Sequence, residues 1–210
     1  MECHYKCLSV KHQFEEAMQV ISTEFPGLLL LEPTVHRDAR GFFLETFREE
    51  HFLSVGINFH CVQANQSFSA DRGVLRGLHF QRPPKAQAKL VWVTRGEVLD
   101  VVVDLRRGSP FYGKHFSVHL SEKNFKRLFV PKGFAHGYLT LTPDTEFNYM
   151  VDEYYAPDHE GGVLWNDPEL GIDWPLEPIA RTDGVNSVIP VQSKKDQNLP
   201  LLRDLEAVFY

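Results

Sequence analysis

Cysteine is scarce in this chain of 210 residues: Cys3, Cys7 and Cys61 are the whole complement. A small odd number builds no disulfide framework and points to a reducing, cytoplasmic setting. Positive charge is in deficit too, with 22 Lys and Arg against 28 Asp and Glu, a net charge of −6. That balance argues against non-specific nucleic-acid binding, which needs a net basic face. No apolar run approaches the roughly 18–20 residues of a membrane-spanning helix. Leu28–Leu31, for example, ends at Glu32. The opening MECHYKCLSV has no basic stretch followed by an apolar core, so no secretory signal is expected. Internal repeats and low-complexity tracts are missing as well.

What is abundant is phenylalanine, 16 residues, with 14 Gly and 13 Pro spread along the chain. This composition favours many short strands and turns over a helical bundle. Phe14, Ala17, Met18 and Ile21 follow helical spacing and predict a short amphipathic helix ending before Pro26–Gly27. Cys3, His4, Cys7 and His12 lack the paired spacing of zinc modules, so this end reads as a terminal arm. A second helical stretch is expected at 47–55, stopped by Gly56. Strands are expected at Gly27–Glu32, Cys61–Phe68, Val74–Gln81, Lys89–Thr94, Val98–Leu105, His115–Leu120, Arg127–Val130, Gly137–Leu141 and Glu146–Asp152. Even spacing of short strands argues for an antiparallel sandwich, jelly roll or barrel. Residues 157–200 are proline-rich, show little periodicity and read as a wrapping tail. One domain over 25–202 is expected, with an extension at 1–24 and a tail at 203–210.

Strand parity puts Gln63, Asn65 and Ser67 on one face. Such a polar row either faces solvent on a sandwich or lines a wet cavity inside a barrel. Two histidines beside turn glycines bear on the choice: His79 in Gly73-Val-Leu-Arg-Gly-Leu-His-Phe-Gln81, and His136 in Pro131-Lys-Gly-Phe-Ala-His-Gly137. Either could be a satisfied structural histidine or a functional one. The second segment resembles the second motif of the cupin superfamily. Metal cupins carry His-x-His and Glu where this chain has His79-Phe-Gln81, with Gln87 and Lys89 further on. Two histidines beside an ammonium are a poor cation site, so no metal and no cofactor is expected.

Further motifs follow in order. They are Asp38-Ala-Arg-Gly-Phe-Phe-Leu-Glu45, Gln63-Ala-Asn65-Gln-Ser67, Lys89-Leu-Val91, Asp100-Val-Val-Val-Asp-Leu-Arg106, Glu146-Phe-Asn-Tyr149, Tyr154-Tyr155-Ala-Pro157, Trp165-Asn-Asp-Pro168, Ile172-Asp-Trp-Pro175 and Ser193-Lys-Lys-Asp196. With the two histidine segments they resemble the nucleotide-sugar 3,5-epimerase family, of the dTDP-4-dehydrorhamnose 3,5-epimerase type, over about residues 25–202. The resemblance implies an all-β, cupin-type jelly-roll barrel with short flanking helices and a wrapping C-terminal tail. It implies an isomerase of deoxysugar biosynthesis that acts on a nucleotide-diphosphate 4-keto-6-deoxyhexose. Such an enzyme removes a proton at C3 or C5 and returns one to the opposite face.

The resemblance also implies roles. His79 is the base, a task suited to imidazole at neutral pH. Asp196, 117 residues later, is its partner, expected within hydrogen-bond reach although the stretch after Trp174 is longer than in compact members. Lys89 stabilises the oxyanion. Tyr149 is the acid, its proton release expected to be eased by the Lys89 ammonium. Arg76, Gln63, Asn65, His136 and Tyr155 bind substrate. Arg76 and His79 differ by three positions, so both can line one pocket only if Gly77 carries a bulge. Arg40, Phe43 and Glu45 match residues that reach a neighbouring subunit through an exchanged N-terminal strand, implying a homodimer; Arg40 could instead pair locally with Asp38. Single-centre epimerisation and a non-catalytic sugar-binding cupin are the competing functions.

Overall fold

The structure, a computed structural model, describes residues 18–176, 179–180, 186–187 and 189–210. In chain order it contains β1 (Met18–Ser22), β2 (Leu29–Pro33), a hairpin of β3 (His36–Asp38) and β4 (Gly41–Phe43), helix α1 (Glu49–Ser54), β5 (Gln63–Ser69), β6 (Leu75–Gln81), β7 (Lys89–Arg95), β8 (Glu97–Asp104), β9 (His115–Ser121), β10 (Arg127–Val130), β11 (Phe134–Thr140), β12 (Thr145–Val151) and β13 (Glu160–Gly162). One sheet runs β1-β2-β10-β7-β12-β5 and the other β13-β6-β11-β8-β9. Neighbouring strands within each sheet run antiparallel, and the two sheets face each other as a jelly-roll barrel.

Alternation along each strand decides what the barrel holds. On β8, Val98 and Val102 pack inward with Val91, Val93, Leu128, Phe134 and Phe147. Leu99, Val101 and Val103 face out, where Val163, Leu170, Trp174, Leu202, Leu205 and Phe209 cover them. The outer face of the other sheet packs Leu31, Leu90 and Phe129 against Phe52 of α1 and Phe59. Each fully buried side chain of this size contributes roughly 1.5–3 kcal/mol. The apolar filling occupies one end of the barrel interior; the other end stays open.

One expectation changes here. Residues 18–22 form strand rather than the expected helix, because each pairs with a residue of Leu29–Pro33. A complete ladder overrides weak helical periodicity, and Val20 and Ile21 suit a strand. The rest of that helix, and Cys3, His4, Cys7 and His12, lie outside the described residues. The C-terminal tail packs on the barrel and contributes Leu205 and Phe209 to the outer core.

The bulge required at Gly77 is present. Across β6 and β11 the register steps from His136 opposite His79 to Tyr138 opposite Arg76, two residues against three. Gly77 has φ +113°, and a Cβ there would lie 2.7 Å from both Gly137 Cα and the His136 carbonyl oxygen. Gly77→Ala is therefore expected to destabilise the protein by about 2–4 kcal/mol, read by chemical denaturation. A loss below about 0.5 kcal/mol would show that the two strands can separate freely at this point.

Candidate active site

The open end of the barrel is a cavity of about 530 Å³. β6 supplies Arg76 and His79, β7 Lys89, β11 His136 and Tyr138, β12 Phe147 and Tyr149, and the C-terminal segment Gln192, Ser193, Lys195 and Asp196. The bulge lets Arg76 and His79 share this wall.

His79 Nε2 lies 2.8 Å from Asp196 Oδ1. The Asp196 carboxylate is buried, and its other oxygen accepts from the Gly77 amide at 3.4 Å. Burial acts to raise the Asp196 pKa, but the His79 contact, Ser193 and the Gly77 amide together hold it below the usual carboxylate range. With Nε2–H donating to a carboxylate, the lone pair of His79 Nδ1 is left as the basic site.

Lys89 and Tyr149 stand on the opposite sheet. Their strands are neighbours: Tyr149 pairs with Val91 and Val151 with Lys89. Burial pushes the Lys89 ammonium down to about 8, while the carboxylates of Asp100 and Glu160 partly offset this. Burial also raises Tyr149, against the lowering effect of the Arg76 guanidinium. This corrects the expectation that Lys89 would ease proton release from the phenol. The relevant cation is Arg76, desolvation outweighs it, and Tyr149 keeps its proton at neutral pH.

His136 Nε2 contacts Asp100 Oδ2 at 2.9 Å, and Asp100 is fully buried. Each cavity histidine is thus engaged by its own carboxylate. Among the described residues no group of three or more His, Cys, Asp and Glu is arranged to hold a metal ion.

The remaining candidates lie apart. Ser67 of the polar row lines the cavity and shares a 2.8 Å hydrogen bond with the Tyr138 hydroxyl, so the row faces the barrel interior. Gln63 and Asn65 continue it beyond the lining residues: Gln63 donates to Asn65 Oδ1 at 2.8 Å and accepts from the Tyr155 amide. Tyr155 is exposed and donates to Glu160 at 2.8 Å. Arg40 pairs locally with Asp38, Nε to Oδ2 at 3.0 Å. Phe43 is 70% exposed, and Glu45 pairs with His51 at 3.0 Å. None of these three lines the cavity.

Comparison with known proteins decides the family. The model described as dTDP-4-dehydrorhamnose 3,5-epimerase matches residues 22–204. The chain belongs to this family of isomerases. It is 47% identical over 184 residues to the dTDP-4-dehydrorhamnose 3,5-epimerase of Methanothermobacter thermautotrophicus, covering 88% of this chain and 94% of that one. A crystal structure of the Bacillus anthracis dTDP-4-dehydrorhamnose 3,5-epimerase, with TDP and PPi bound, is 49% identical at a TM-score of 0.80 and covers 88% of this chain and 99% of that chain. The Legionella pneumophila dTDP-6-deoxy-D-glucose-3,5-epimerase, in complex with dTDP-4-keto-L-rhamnose, is 40% identical at a TM-score of 0.82 over 90% and 95%.

Sequence reasoning gave no role to Asp100, Glu160 or Lys195. Asp100 had a readable signal, an acid at the inward position between Val98 and Val102 in the apolar middle of its strand. The ion pair between Lys195 and Glu160 had none, since the fold alone joins those segments.

A buried ammonium costs stability that a neutral side chain does not. Lys89→Met is expected to raise stability by roughly 1–3 kcal/mol at pH 7. The folded pKa, about 8, lies below the ordinary 10.5. The gain is thus complete below about pH 8 and fades as pH rises toward 10.5, where the wild-type lysine is neutral in both states. Urea denaturation at pH 7 and pH 10 checks both parts; a Met variant less stable than wild type at pH 7 would contradict them.

Proposed function

We propose that this chain inverts C3 and C5 of a dTDP-linked 4-keto-6-deoxyhexose, with His79, Asp196, Lys89 and Tyr149 as its chemical groups. One observation carries the reading: a histidine of one sheet, paired with a carboxylate of the C-terminal segment, and an amine with a phenol on the other sheet face a single cavity. His79 Nδ1 takes the proton at C3 or C5. The C–H electron pair becomes the new C=C bond, and the C4 carbonyl pair moves onto oxygen, giving an enolate. Lys89 neutralises that oxygen, and Asp196 stabilises the imidazolium. The Tyr149 hydroxyl protonates the carbon from the opposite face, so the centre inverts. Solvent then removes the proton from His79 and restores the one on Tyr149.

Arg76 and His136 contact the substrate, and Gln63, Asn65 and Tyr155 extend the binding surface. The enzyme works in the cytoplasm as a homodimer, and exchange of the N-terminal segment delivers Arg40, Phe43 and Glu45 to the partner's cavity. Support comes from the hairpin of β3 and β4, where Phe42 and Phe43 are 57% and 70% exposed, more apolar surface than an unpartnered hairpin normally shows. Among the described residues no helix is long and apolar enough to cross a membrane.

Incubation with dTDP-4-keto-6-deoxyglucose in D₂O, followed by NMR, is expected to show deuterium at both C3 and C5. Label at one centre would establish a single-centre epimerase, and label at neither a binding protein. His79→Ala is expected to lower turnover by about 10²–10⁴ with the fold retained. Tyr149→Phe should still exchange the carbon-bound proton with solvent while failing to complete inversion. Equal loss of exchange and inversion would make Tyr149 a positioning residue.

A further inference from the structure

The C-terminal segment crosses the cavity wall between two fixed points. At one end Val191 donates to the Gly73 carbonyl at 2.8 Å and accepts from the Leu75 amide at 2.9 Å. At the other, Asp196 holds His79. Gln192 lies between them and lines the cavity. Its side-chain Nε2 is buried and has no hydrogen-bond partner among the described residues. A buried N–H left unpaired is a free-energy cost that native structures rarely tolerate without a reason. The two anchors hold the backbone on either side of Gln192, so its amide stays at the cavity wall, where a molecule entering the cavity can supply the acceptor.

Its position indicates which part of a substrate that is. His79, Lys89 and Tyr149 define the reacting end. Val191 sits beside Gly73 and Leu75, which puts Gln192 on the Arg76 side, away from the base. Arg76 also lines the cavity and carries only donors. The unpaired Gln192 N–H and the Arg76 guanidinium place donors on one wall, and beside a fixed cation a charged phosphate oxygen is a stronger acceptor than a neutral sugar hydroxyl. We infer that the Gln192 amide donates to the diphosphate of the nucleotide sugar and sets ground-state affinity rather than the chemical step. This rests on the epimerase reading above.

Calorimetry with dTDP tests the two separately. Binding of dTDP by the wild-type protein reports on the nucleotide-sugar reading, and absence of binding would remove both. Given binding, Gln192→Leu is expected to raise the dTDP Kd about tenfold and the KM of the nucleotide sugar by the same factor, with kcat within about twofold. Gln192→Glu, which swaps the donor for a negative charge, should weaken dTDP further than Leu does. Thymidine, which lacks phosphate, should bind all three proteins alike. A melting temperature of the Leu variant at or above wild type shows that the fold is intact, since Leu removes an unpaired buried donor. An unchanged dTDP Kd in Gln192→Leu, or an equal loss for thymidine, overturns the assignment.

Discussion

The bond between His79 and Asp196 is the contact on which the site depends. It joins the sixth strand of the barrel to a segment 117 residues later, and it fixes three things together. It orients the imidazole, it selects the ring nitrogen that is free to act, and it closes one side of the cavity with the segment that carries the aspartate. The same carboxylate reaches the Gly77 amide, so the pair is tied to the one irregular point of the strand. The imidazole, its carboxylate and the bulge form one mechanical unit.

Around that unit the barrel is divided lengthwise. Phe147 stacks on Tyr138 with ring centroids 4.0 Å apart, and on His136 at 6.0 Å. These rings form the boundary between the packed end and the wet end. Polar groups beyond the boundary are desolvated by it, which is why Lys89 and Tyr149 shift in the directions they do: both favour the neutral form. The apolar filling therefore does chemical work as well as structural work. It keeps the phenol protonated and lets a lysine approach neutrality near physiological pH.

Most of this architecture was legible because two-residue periodicity is a strong local signal. The strand at Arg127–Val130 was placed at its observed bounds, and the helix expected at 47–55 occupies Glu49–Ser54. The parity conflict between Arg76 and His79 pointed to a bulge at Gly77 before any coordinates. Reading failed where the answer lay in tertiary contact. Met18–Ser22 has weak helical spacing, but a neighbouring strand claims it. The charge thought to act on Tyr149 was assigned to Lys89 by proximity, whereas burial and Arg76 dominate. The pairing of Asp100 with His136 depends on two strands being adjacent, which the order of residues along the chain does not state.

The late position of Asp196 has a consequence for how the protein comes into being. The barrel strands up to Val151 can emerge from a ribosome and pair while the carboxylate is still to be translated. Phe209 then bridges back to Arg106 and packs on the outer core. A nascent chain can own the strands, the imidazole, the amine and the phenol and still lack an oriented histidine. The imidazole is oriented only once the segment that carries Asp196 has docked on the finished strands, so this pairing comes late in the making of the molecule.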